Sequence, residues 1–111
     1  MQYLLLIYEN EKRFSQGYDE AEMGEYQAFG QEFSKNIQGG NALQLTNTAK
    51  SVRLRNGKPT VTDGPFAETK EQLGGFYLVE AANMDEAVKM AAKIPGARFG
   101  TIEVRPIMTF S

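Results

Sequence analysis

The sequence contains no cysteine and no histidine. Without cysteine, disulfides and thiolate chemistry are both excluded, which suits a reducing compartment such as the cytoplasm. Without histidine, the usual general base near neutral pH is missing, and so is the commonest metal ligand. A metal would have to be a hard cation held by Asp and Glu oxygens, and no Asp-rich loop with calcium-site spacing is present. Ser15, Ser34, Ser51 and Ser111 have no histidine to activate them as nucleophiles. An excess of one charge is also lacking: 12 Lys and Arg against 14 Asp and Glu leave a net charge of −2. That balance offers no basic surface to nucleic acid and no like-charge tail. Neither Gly39-Gly40 nor Gly74-Gly75 belongs to a phosphate-loop pattern or opens a helix as a dinucleotide fingerprint does, so no cofactor is expected. Long hydrophobic runs are absent too. The apolar start, residues 1–8, lacks a basic leader and meets Glu9-Asn10-Glu11-Lys12 at once, which reads neither as a signal peptide nor as a membrane span.

What remains is an ordinary globular composition, 41% hydrophobic and 23% charged over 111 residues, expected to form a single domain over 1–111. Residues 3–8 form an uninterrupted run of leucines and β-formers, read as a strand buried on both faces, followed by a polar loop over 9–18. Asp19 suits a helix N-cap, with Glu22 as its reciprocal capping-box partner. Tyr26, Phe29, Phe33 and Ile37 then recur at helical spacing, and Gly39-Gly40 is read as the stop. Residues 42–45 read as a strand. Residues 51–55 alternate in polarity, and Asn56-Gly57 predicts a tight hairpin returning through 60–62. Asp63-Gly64-Pro65-Phe66 breaks that strand, and Gly74-Gly75 opens another over 76–79, apolar on both faces. Asn83 and Glu86 cap a short helix whose inward face is read as Met84, Ala87, Val88 and Ala91. Pro95-Gly96 stops it. A last strand follows over 101–105, with Ile102 and Val104 on one side and Thr101, Glu103 and Arg105 on the other.

The order is β-α-β, hairpin, β-α-β: an α+β, ferredoxin-like split βαβ sandwich with an extra hairpin. Two helices cover only one face of a sheet, yet the strands over 3–8 and 76–79 are apolar on both. The simplest cover for the second face is a second copy, so a homodimer closing sheet to sheet into an α+β barrel is expected.

The stretch from Val61 to Tyr77, built around Asp63-Gly64-Pro65-Phe66, closely resembles the DGPF branch of the YCII-related family. The opening Tyr3-Leu4-Leu5-Leu6-Ile7-Tyr8, the Ile94-Pro95-Gly96-Ala97 turn and Glu103-Val104-Arg105-Pro106 extend the likeness over nearly the whole chain. The resemblance implies a ferredoxin-like subunit in a dimeric α+β barrel. Some relatives in the wider superfamily act on small cyclic compounds, among them muconolactone-type isomerases and a chloromuconolactone dehalogenase. YCII-related proteins are often described with a His–Asp pair in a cleft, and this chain has no histidine to complete it. DGPF proteins are often encoded beside, or fused to, sigma factors of the extracytoplasmic-function type, which implies a regulatory association.

Each candidate site residue carries two readings. Asp63 is either a carboxylate facing a cleft, able to act as a base, or the acceptor of an Asx-type turn. Phe66 either walls a pocket or fills the core. Glu68, Lys70 and Glu71 form a mixed-charge lid or a solvated loop, and Glu71 is the second candidate base. Glu103 and Arg105 either line the barrel, with Arg105 gripping an anionic substrate, or form an ion pair. Tyr8 and Tyr77 donate to a ligand or sit at a dimer seam, and Arg98 is open in the same way. Three functions compete: a dimer that binds a small cyclic or acidic ligand, a lactone isomerase- or lyase-like enzyme using carboxylate acid–base chemistry, and an interaction module for a sigma factor.

Overall fold

The first strand, β1 (Gln2–Glu9), alternates half-buried and buried side chains along its whole length in the computed structural model, which describes residues 1–64 and 70–110. Tyr3, Leu5, Ile7 and Glu9 point to one face, Leu4, Leu6 and Tyr8 to the other, as the two-residue strand period dictates. Antiparallel β5 (Gln72–Glu80) and β6 (Thr101–Pro106) flank β1, and β2 (Ile37–Ala42) lies outside β5, giving the order β2-β5-β1-β6. Helices α1 (Glu20–Glu32) and α2 (Met84–Ala91) complete a mixed α+β, ferredoxin-like fold. The hairpin β3 (Lys50–Arg55) and β4 (Lys58–Asp63) is inserted between β2 and β5 and forms a separate two-stranded sheet.

The core lies between the helices and one sheet face. Leu5, Val79 and Ile94 are fully buried there, with Phe29 arriving from α1 and Ala87, Met90 and Ala91 from α2. Burying each large apolar side chain stabilises the fold by roughly 1.5–3 kcal/mol. Asp19 caps α1 by accepting from the Ala21 N–H at 2.9 Å, and Asn83 caps α2 by accepting from the Glu86 N–H at 2.9 Å. The inward face of α2 is rotated from the expected one. Met90 joins Ala87 and Ala91 inside, while Met84 and Val88 are exposed.

The end of α1 differs more. The helix stops at Glu32 with Phe33 as C-cap, and Ile37 begins β2, opposite Val79 of β5. Ile37 continued the helical spacing, but it reaches the core by strand geometry. Asn36 holds the turn, its side chain donating to the Glu80 carbonyl at 2.9 Å while its own carbonyl accepts from the Glu80 N–H at 2.8 Å. Gly39 and Gly40 are therefore inside β2, and the expected strand over 42–45 is shifted toward the N-terminus. A side chain at Gly40 would press on the Phe76 carbonyl oxygen, 2.6 Å from where its Cβ would stand.

Asn56 and Gly57 take the positive φ values, 51° and 74°, that the tight β3–β4 turn requires. The hairpin projects from the body: the radius of gyration is 15.9 Å, against about 13 Å for a compact chain of this length. Val52, Leu54 and Val61 on it are exposed.

Among the described residues, no helix covers the second sheet face. Leu4 stands opposite Leu78 and Leu6 opposite Phe76, all half-buried. On the other side of β1, Arg105, Glu103 and Thr101 pair with Leu4, Leu6 and Tyr8, so β6 lays a polar row beside this apolar stripe. Among the described residues no helix is long and apolar enough to cross a membrane.

Candidate functional site

The strand period that buries Tyr3, Leu5 and Ile7 also carries Glu9 inward, where it is 6% exposed. A buried carboxylate needs partners or it takes up a proton. Arg13, on the 3-10 turn Glu11–Phe14 that follows β1, provides one: its Nη1 lies 3.1 Å from Glu9 Oε2. Its Nη2 donates to Glu22 Oε1 at 2.9 Å. Glu22 is itself buried in the first turn of α1, so it faces Arg13 rather than closing the capping box expected for it. The guanidinium also stacks on the Phe99 ring, 3.8 Å from its centroid.

Glu9 Oε1 meets no hydrogen-bond donor among the described residues. It lies against Gly96, on the 3-10 turn after α2, with the Tyr26 hydroxyl beside it. A Cβ at Gly96 would collide with Glu9 Oε1 and stand 2.9 Å from that hydroxyl. Only glycine lets the carboxyl and the phenol share this space.

Burial pushes the Glu9 pKa above its ordinary value; Arg13 opposes the shift, and Glu22 and Glu71 add to it. Burial, with the charges of Glu9 and Glu22, holds Tyr26 well above the usual phenol range, against a backbone hydrogen bond from Gly96. Burial also raises Tyr77. The sign of the Glu9 effect on stability follows. A carboxyl whose folded pKa is raised binds more protons folded than unfolded, so its contribution is full below the ordinary value of 4.5 and is lost as pH rises through the folded value. Chemical denaturation across this range is expected to show wild-type stability falling relative to Glu9→Gln as pH rises. Parallel pH profiles for the two proteins would contradict the assignment.

These groups form one wall of a cleft of about 640 Å³ between α1 and the β2–β5 side of the sheet. Glu9, Glu22 and Tyr26 meet Tyr77 of β5 there, with Phe14 and Tyr18 from the segment before α1. The volume falls within the usual range for small-molecule sites. No group of three metal-ligating side chains occurs among the described residues.

Of the described residues put forward as site candidates from the sequence, the fold brings only Tyr77 to this cleft. Asp63 ends β4 on the projecting hairpin with its side chain 85% exposed, paired to Lys50 Nζ at 2.5 Å. That exposed ion pair does not line the cleft beneath α1. Glu71 accepts from the Thr101 hydroxyl at 2.9 Å and acts on Glu9 only through its charge. Tyr8, Glu103 and Arg105 gather on the helix-free face, where the Tyr8 hydroxyl lies 3.3 Å from Glu103 Oε1 and Arg105 Nε donates to Glu103 Oε2 at 2.6 Å. Arg98 is exposed and bound to Glu25 Oε1 at 2.7 Å, so it serves α1 rather than the cleft. Phe66 and Glu68 lie outside the described residues. Glu9, Arg13, Glu22 and Tyr26 were not anticipated. The available signal was period-two continuation of β1, which puts Glu9 on the face of Leu5 and Ile7.

A four-stranded antiparallel sheet with two helices on one face defines the ferredoxin-like class, here with a hairpin insertion. The chain belongs to the YCII-related domain family, whose model matches residues 1–111. It is 37% identical, over 99% of its length and 94% of the relative's, to an uncharacterised protein of Rhizobium meliloti. Its fold is similar to that of 5-chloro-2-hydroxyhydroquinone dehydrochlorinase from Burkholderia phenoliruptrix, solved in complex with 2,5-dihydroxybenzoquinone. That likeness has a TM-score of 0.55 at 17% identity, covering 97% of this chain and 94% of the other.

Proposed function

We propose that the protein is a homodimeric small-molecule-binding protein of the DGPF branch, whose ligand occupies the cleft beneath α1. The observation that carries this is Glu9: a carboxyl 6% exposed, with one oxygen lacking a donor among the described residues, in a 640 Å³ space lined by aromatic residues. A polar atom left unpaired in a core costs about 1–3 kcal/mol, and a ligand donor would relieve that cost. The dehydrochlorinase of similar fold acts on a hydroxylated ring, which makes small cyclic compounds the first to test. The uncovered face of β1 and β5 supports the dimer, because Leu4, Leu6, Phe76 and Leu78 together form an apolar stripe without a helix over it.

Hydroquinone added to the protein is expected to shift the backbone amide resonances of Gly40, Gly74 and Gly75, which line the cleft, and to raise the melting temperature by mass action. Ala42→Trp, filling the cleft from the edge strand β2, is expected to weaken that binding at least tenfold. Unchanged amides, or undiminished binding to the tryptophan variant, would rule the cleft out.

An enzymatic reading is favoured by the same carboxyl. A buried carboxyl with a raised pKa beside a phenol held in its protonated form suits proton transfer at a ring carbon or hydroxyl. In that case Glu9→Gln abolishes turnover of a bound ring compound while leaving its binding within a few fold.

A further inference from the structure

We infer that the cleft selects its ligand by charge, admitting an aromatic-sized ring that is neutral or cationic and carries a hydrogen-bond donor, and rejecting carboxylates. This rests on the cleft being the ligand site. Among the described residues three carboxylates line it, Glu9, Glu11 and Glu22, and no lysine or arginine does. Residues 65–69, outside the described part, contain Glu68 and no basic residue, so this chain holds no hidden cation there.

Arg13 alone pairs with these carboxylates, and it is already shared between Glu9 and Glu22 and stacked on Phe99. Glu11 is held by hydrogen bonds rather than by a cation: it accepts from the Thr46 N–H at 2.7 Å and from the Thr46 hydroxyl. An entering anion therefore faces the negative charge of this acidic wall, where two of the carboxylates are buried and repulsion is screened less than in bulk water.

Two further features favour the opposite sign. Glu9 Oε1, on a residue only 6% exposed, lacks a donor among the described residues, which an amine or hydroxyl would supply. The rings of Phe14, Tyr18, Tyr26 and Tyr77 line the same space, and aromatic faces attract cations. The acidic ligand expected from Arg105 finds no counterpart, because Arg105 lies on the helix-free face bound to Glu103.

The test compares three matched probes at neutral pH on the full chain, following the amides of Gly40, Gly74 and Gly75: hydroquinone, 4-hydroxybenzylamine and 4-hydroxybenzoate. The neutral and cationic probes are expected to bind at least tenfold more tightly than the benzoate. Glu9→Gln and Glu22→Gln, tested separately so that one misfolded variant does not decide the matter, should each narrow that gap at least threefold. A wild-type gap smaller than tenfold, with binding present, overturns the charge rule and leaves the cleft as a site. Absence of binding by all three overturns the cleft reading and the charge rule with it.

Discussion

Leu6→Arg is expected to leave the protein folded and make it a monomer, weakening self-association at least a thousandfold, or about 4 kcal/mol. Leu6 lies near the middle of the helix-free face, with Phe76 across from it on β5 and Glu103 on β6. In a single subunit an arginine there stays tolerable, since Glu103 is its cross-strand neighbour and water reaches this face. In a sheet-to-sheet dimer the twofold axis would bury two such guanidinium groups in an apolar seam, and desolvating them costs more than any new pairing returns. Sedimentation or light scattering at tens of micromolar would show the change. The melting temperature of the wild type, but not of the variant, should rise with protein concentration. A wild type that sediments as a monomer at that concentration, with Leu4, Leu6 and Phe76 wetted, would remove the dimer from the proposal.

The proposed dimer and the candidate cleft would use opposite faces of one sheet, and the strand period separates those faces. Odd residues of β1 build the core and end in Glu9; even residues build the stripe and end in Tyr8. Adjacent residues at the end of one strand therefore serve different surfaces. Tyr8 reaches Glu103 in the polar row beside the stripe, while Glu9 turns under α1 to Arg13. Arg105 binding Glu103 along the same strand face gives the apolar stripe a polar edge.

How much of this was legible follows from where the information is local. The hairpin turn was readable because Asn56-Gly57 meets a backbone requirement at those positions alone. Both helix caps were readable because Asp19 and Asn83 bond residues two and three positions away. The two-faced strands were readable from composition, since a half-exposed strand would alternate polar and apolar residues. The end of α1 was misread because Ile37 continues a helical spacing while belonging to a strand, and only its partner Val79, far along the chain, decides between them. The candidate cleft is not legible in the sequence for a related reason. Asp63 sits in the most distinctive motif of the sequence, but that motif lies at the root of a projecting hairpin. Glu9, Arg13, Glu22 and Tyr26 look like polar-loop and helix-surface residues until the fold joins both carboxylates to Arg13 and sets Gly96 against Glu9 and Tyr26.

The buried charge cluster makes the sharpest test of that assembled site. Arg13→Met keeps an unbranched stem against Phe14 and Phe99 but removes the cation shared by two carboxylates whose side chains are 7% and 9% exposed. Removing one partner of a buried pair typically costs 3–5 kcal/mol, and the partial exposure of Arg13 itself argues for the lower end, about 3 kcal/mol at neutral pH. For a chain of this length that lowers the melting temperature by about 13 °C. Arg13 is the influence that holds the Glu9 pKa down, so its removal drives that pKa further up. The variant therefore recovers as Glu9 protonates: its deficit should shrink as pH falls toward 4.5 and grow as pH rises through the shifted value. Adding Glu9→Gln should restore much of the loss at neutral pH, because the double variant no longer buries that unpaired charge, and the double-mutant cycle measures the coupling directly. A deficit equally large at every pH, or one untouched by the second substitution, would mean that Arg13 acts through packing on Phe99 and that Glu9 is not the strained charge at the centre of this cleft.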